Sequence, residues 1–132
     1  CCGDRAVLRA LHFFEENRRT LMQFRALRKG RFGEFLSMVR DSGHSSFASC
    51  QNVYCAQEPK VQGLSIALAL SQQVLEGAGG AWRMQGGGFA GTIQAFMPRT
   101  SLERYRTVME TVFGPGCCHL LRLREQGAVR VI

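Results

Sequence analysis

Between residues 83 and 92 the chain reads Arg83-Met84-Gln85-Gly86-Gly87-Gly88-Phe89-Ala90-Gly91-Thr92. Four glycines in six positions weaken any regular element, so their presence needs a physical reason. Glycine permits a positive φ and a close approach to the backbone. Successive exposed N–H groups can also form a concave nest for an anion. The chemistry this would serve is a loop lying against phosphates. The competing reading, which composition alone favours, is a Gly-rich turn at a sheet edge or a seat for a helix. Two familiar phosphate motifs are excluded. No Gly-Lys-Ser/Thr comes after the glycines, and residues 92–97 read as a strand where a dinucleotide fingerprint needs a helix N-terminus.

Other reactive side chains point less clearly to chemistry. The six cysteines fall as Cys1-Cys2, Cys50, Cys55 and Cys117-Cys118. Adjacent pairs do not readily bridge, and a C-x4-C spacing is not a common zinc knuckle. They read as reduced, packed thiols of a cytoplasmic protein, with no metal site. His12 lies on an apolar helix and reads as a buried, hydrogen-bonded histidine. His44, in a Ser-rich stretch, could cap a helix or touch substrate, with structure the favoured role. Trp82 reads as core rather than as a stacking platform. Arg122, Arg124 and Arg130 read as solvent-facing.

The chain has 132 residues, enough for one domain with a real core. Seventeen Lys and Arg against ten Asp and Glu leave a net charge of +7. That sign suits an anionic partner. The basic residues are nevertheless dispersed, except for Arg18, Arg19, Arg25, Arg28, Lys29 and Arg31, and Glu15 and Glu16 precede these on one helix. A solvated helix face is favoured over a nucleic-acid patch. No run approaches the roughly 18 apolar residues of a membrane span, so no membrane partner is expected. The opening Cys1-Cys2-Gly3-Asp4-Arg5 has neither an initiator Met nor signal-peptide character. We therefore expect a single domain, residues 1–132, cut from a longer chain.

The elements that must position the glycines are set by periodicity. Asp4 can cap a first helix, continued by Leu21, Phe24 and Leu27 and ended at Gly30. Phe32, Phe35, Leu36 and Val39 give a second helix, stopping at Asp41-Ser42-Gly43, before a polar loop over 44–57. Pro59 fits the first turn of a third helix that buries Val61, Leu64, Leu68 and Leu75 and ends at Gly77. Strands 81–85 and 92–97 flank the glycines. Thr100 and Glu103 form a capping box for a fourth helix with Leu102, Tyr105, Met109 and Val112 on one face, broken by Gly114-Pro115-Gly116. Strands 117–124 and 128–132 close the chain as a hairpin. The sum is an α+β fold, with a ferredoxin-like antiparallel sheet and helices packed on one side.

These residues resemble a known family. Arg83-Met84-x-Gly86-Gly87-Gly88-Phe89-x-Gly91 is similar to the third, Gly-rich motif of galactokinases, in the GHMP small-molecule kinase superfamily. Arg9-Ala10-x-His12-Phe13-x-x-Glu16-Asn17-x-Arg19 resembles the helix that opens the C-terminal domain of those enzymes. Ala26-Leu27-x-x-Gly30-x-x-x-x-Phe35-x-x-Met38 and Ser42-Gly43-His44-Ser45-Ser46 resemble its next two elements. The chain departs from the family pattern at Gly43, Trp82, Gln85, Ala90 and Thr92.

The resemblance implies the C-terminal domain of a sugar kinase whose complete form transfers the γ-phosphate of ATP to a galactose-like hydroxyl. It implies a partner in the chain's own N-terminal kinase domain, with ATP, Mg2+ and a hexose such as galactose as ligands of the whole. It places no catalytic residue and no tightly bound cofactor in this chain, because the family's phosphate loop is absent from it. Gly86, Gly87, Gly88, Phe89 and Gly91 would form the nucleotide-proximal loop that closes the cleft, framed by Arg83 and Met84. Two alternatives stand beside this. Lys29-Gly30-x-Phe32-Gly33-x-Phe35 superficially resembles an aromatic RNA-binding segment, although as a helix boundary its aromatics belong to the core. A non-catalytic sensor of sugar and ATP would carry the same residues.

Overall fold

The computed structural model describes residues 3–88 and 91–122. Helix α1 spans Asp4–Arg28 and α2 spans Phe32–Ser45, with Gly30 (φ 66°) turning the chain between them. A π-helical turn, Ser46–Cys50, extends α2 directly, and Gln51 ends it in the left-handed region. Helix α3 (Gly63–Leu75) leads to strand β1 (Ala81–Met84), which pairs antiparallel with β2 (Ile93–Phe96). Ala81 lies opposite Phe96 and Met84 opposite Ile93. A 3-10 turn, Arg99–Ser101, opens helix α4 (Leu102–Phe113). Among the described residues no helix is long and apolar enough to cross a membrane.

Alternate residues of β1 point to different helices, as the pleat requires. Trp82 packs with Val74 and Leu75 of α3 and with Tyr105 and Met109 of α4, forming the largest apolar cluster. Met84 joins Val53 and Leu64, whereas Ala81 packs on Leu36 and Val39 of α2. Tyr105 hydroxyl and Ser71 Oγ lie 2.9 Å apart inside this core, and Ser71 Oγ donates to the Ala67 carbonyl. The serine proton is thereby committed, so the tyrosine donates to it.

The α+β class agrees with the sequence reading, but the described sheet has two strands and helices on both faces rather than one. Residues 117–122 form no strand, and the rest of the expected closing hairpin, 123–132, lies outside the described residues. Four local expectations are also corrected. Helix α2 does not stop at Gly43, because a glycine there lets it lie against β1. A Cβ at Gly43 would stand 3.1 Å from both Arg83 Cβ and the Trp82 carbonyl oxygen. Pro59 belongs to a turn closed by Val61 N–H on the Glu58 carbonyl, so α3 starts later and Val61 is exposed. Neither Asp4 nor Thr100 makes a capping hydrogen bond. Gly3 precedes α1, and the 3-10 turn after Pro98 takes the place of the capping box. Val112, read as part of α4's inner face, is exposed.

Candidate functional site

The site grows from a polar stripe on α1. His12, Glu16 and Arg19 recur every three or four residues, so they share one face of the helix, and all three are half-buried. His12 Nδ1 lies 2.9 Å from Ser45 Oγ, in a segment that is helical where a loop was expected. Glu16 is the hub. It accepts hydrogen bonds from Arg19, from the fully buried Ser42 hydroxyl and, at 3.3 Å, from Arg83 Nη1. Burial pushes the Glu16 carboxyl up. The Ser42 hydroxyl and the two guanidinium groups outweigh it and hold the acid below its ordinary value.

This network anchors the strand that feeds the glycines. Arg83 Nε also donates to the Met84 carbonyl at 3.2 Å, and Met84 itself is 2% exposed. Arg40 Nη1 donates to the Gly80 carbonyl at 2.7 Å, tying α2 to the start of β1. The Gln85 N–H donates to the Thr92 carbonyl and closes the neck of the loop. Beyond that neck, Gly86, Gly88 and Gly91 have φ of 64°, 81° and 77°, a region that side chains strain.

A second brace comes from Asn52, just after the π-helical turn. Its Nδ2 donates to the Gly87 carbonyl at 3.0 Å, and its Oδ1 accepts from Ser46 Oγ at 3.4 Å. A Cβ on Gly88 would come 2.2 Å from the Asn52 carbonyl oxygen. Gly88 is thus required twice, by its φ and by this contact. Gly86, Gly87 and Gly91 are exposed, with no atom within 4 Å of a would-be Cβ. The loop is held from behind and open in front.

Of the expected site residues, the structure brings Arg83, Met84 and Gly86–Gly88 into one braced hairpin, with Gly91 on its return. Phe89 lies outside the described residues. Asn52 was not legible in the sequence, because it falls in a stretch that reads as loop. His12 is hydrogen-bonded as expected but half-buried, and Trp82 is buried as expected. His44 is exposed, beside a groove of about 330 Å3 that Phe47, Ser65, Gln72 and Trp82 also line.

Most of the basic cluster is a solvated helix face, with Arg18 paired to Glu15 and Arg31 to Glu34. Arg19 is the exception, half-buried in the network. The Phe32–Phe35 segment is a helix boundary rather than a strand. Phe35 packs edge-on against Phe96, but Phe32 is exposed and not core. No disulfide joins Cys50, Cys55, Cys117 and Cys118, and Cys55 and Cys117 are exposed rather than packed. Among the described residues no group of three His, Cys, Asp or Glu side chains is placed to hold a metal ion.

Comparison with known proteins adds the family. No protein-family model matches the chain, and no solved structure matches it. The chain is 35% identical over 107 residues to the galactokinase of Mannheimia succiniciproducens, a match covering 79% of this chain and 25% of that protein. Glu16, Ser42, Arg83 and the glycines of the braced hairpin are among the residues that carry the resemblance, whereas Arg40 and Asn52 are not. The chain is galactokinase-like, and it spans a quarter of the length of the curated relative it matches.

Proposed function

We propose that this chain is the C-terminal domain of a galactokinase-like, cytoplasmic sugar kinase, and that its Gly-rich loop closes the cleft in which ATP and the sugar meet. The observation that carries this reading is the loop braced on two sides, by Arg83 on Glu16 and by Asn52 on Gly87, with its glycine backbone open to solvent. Phosphoryl transfer depends on positioning and on neutralising charge. Braced glycine backbone at Gly86 and Gly87, with no side chain of its own, lets a phosphate or sugar oxygen approach closely.

In this reading Gly86, Gly87, Gly88 and Gly91 line the nucleotide side, with Phe89 among them. Arg83 and Met84 hold the strand and touch no substrate. ATP with its Mg2+, and a hexose such as galactose, would be bound chiefly by the rest of a galactokinase-length polypeptide, and this chain alone would hold neither tightly. The test replaces the matching quarter of the Mannheimia succiniciproducens galactokinase with this chain and assays ATP-dependent phosphorylation of galactose and other hexoses. The chimera is expected to turn over and the isolated chain to show no activity. A folded chimera that phosphorylates no hexose would overturn the proposal.

A further inference from the structure

Helix α1 is built inside out. Its half-buried stripe, Leu8, His12, Glu16, Arg19 and Gln23, is mostly polar, and only Ala26 is buried. The large apolar side chains point away from the fold. Val7, Leu11, Phe14, Leu21, Phe24 and Leu27 are 48% to 70% exposed. Val7, Leu11, Phe14 and Leu21 fall at i, i+4, i+7 and i+14, a single stripe along the helix. At about 1.5 Å per residue the stripe from Val7 to Leu21 runs roughly 21 Å along α1. An apolar surface of this extent marks an interaction site.

Two observations choose the occupant. The chain spans 25% of the galactokinase it matches, so most of such a polypeptide lies outside it. Charge argues against a second copy. Arg25 and Arg28 sit among the apolar residues, with the Arg28 guanidinium 5.8 Å from the Phe24 ring centroid, on a chain of net charge +7. Two such faces would oppose like charges.

We propose that this face of α1 is the docking surface for the remainder of a galactokinase-length polypeptide, whose complementary surface is apolar with acidic groups opposite Arg25 and Arg28. The proposal rests on the galactokinase-like function and names the surface that function needs. Because α1 grips Arg83 through Glu16 on its other side, the docked body and the Gly-rich loop share one strut.

The experiment compares the Leu11→Glu/Phe14→Glu pair, and separately Arg25→Glu, in two settings: the isolated 132-residue chain and the chimeric galactokinase. In the isolated chain the substituted groups face water, so helicity, melting temperature and monomeric mass are expected to stay at wild-type values. In the chimera, the paired substitution is expected to lower the melting temperature by at least 10 °C. It is also expected to raise amide exchange along α1 at least tenfold, and Arg25→Glu to act in the same direction more weakly. Equal effects in the two settings, a chimera that unfolds in two independent steps, or self-association of the isolated chain through these residues would each overturn the proposal. These readouts do not involve turnover. A folded chimera with a protected α1 and no kinase activity would reject the kinase reading and leave the docking surface standing.

Discussion

Glu16 is the residue on which the site depends most, and replacing it gives a sharp expectation. Its side chain is 22% exposed, and those of Arg19 and Arg83 are 12% and 24% exposed. Glu16→Ala removes three charge-assisted hydrogen bonds and leaves two guanidinium groups and the buried Ser42 hydroxyl around a cavity. Removing one partner of a fully buried ion pair costs about 3–5 kcal/mol. Partial exposure lets water solvate the orphaned cations, so the expected loss is about 2–4 kcal/mol. That is a large share of the roughly 5–15 kcal/mol that holds a domain together. Urea unfolding followed by circular dichroism measures it, and a double-mutant cycle with Arg83→Ala isolates the coupling between α1 and β1.

The same group sets a pH dependence. Its acid is held below the ordinary value of 4.5, so the folded state binds fewer protons than the unfolded one as pH approaches that range. The stabilisation is fully present above pH 4.5 and is lost as pH falls through the lower folded value. Glu16→Gln should flatten that acid limb. A loss under about 0.5 kcal/mol for Glu16→Ala, within the range of ordinary surface substitutions, would refute the reasoning, as would a coupling energy near zero.

The loop and the thiols give two further expected outcomes. Gly88→Ala is expected to lose at least about 3 kcal/mol of stability, or to displace the loop, since the new Cβ meets the Asn52 carbonyl as well as an unfavourable φ. Gly86→Ala, strained only by its φ, should cost about 1 kcal/mol in the same unfolding assay. Burial, reinforced by the neighbouring Cys117, pushes the Cys118 thiol up to about 11. Cys55 and Cys117 are exposed, so timed alkylation at pH 8 read by mass spectrometry should modify both before Cys118.

Much of the site could be read from residue types and spacing. The glycines between two strand-like runs announced a hairpin loop, and the i, i+3, i+4 apolar pattern placed α2 and most of α3. The resemblance carried by Glu16, Ser42, Arg83 and Gly86–Gly88 named residues that the fold then joined. What those residues do for one another was not legible, because their contacts span 26 and 67 positions of sequence. Asn52 stayed hidden for the same reason, since its role depends on Gly87, 35 residues away.

Local rules misled where tertiary packing overrode them. Gly43 reads as a stop by propensity, yet it sits inside a helix because β1 presses against it. The large apolar residues of α1 face outward, because the polar stripe on the helix's other side is held by Ser42, Ser45 and Arg83. Amino-acid order by itself determined most of the helices, the two strands flanking the glycines and the galactokinase resemblance, since each rests on spacing within a few residues or on residue identity. Only the tertiary structure decided which face of α1 is buried and which strands and helices brace the loop, because charges and carbonyls distant in sequence find their partners only when the chain packs.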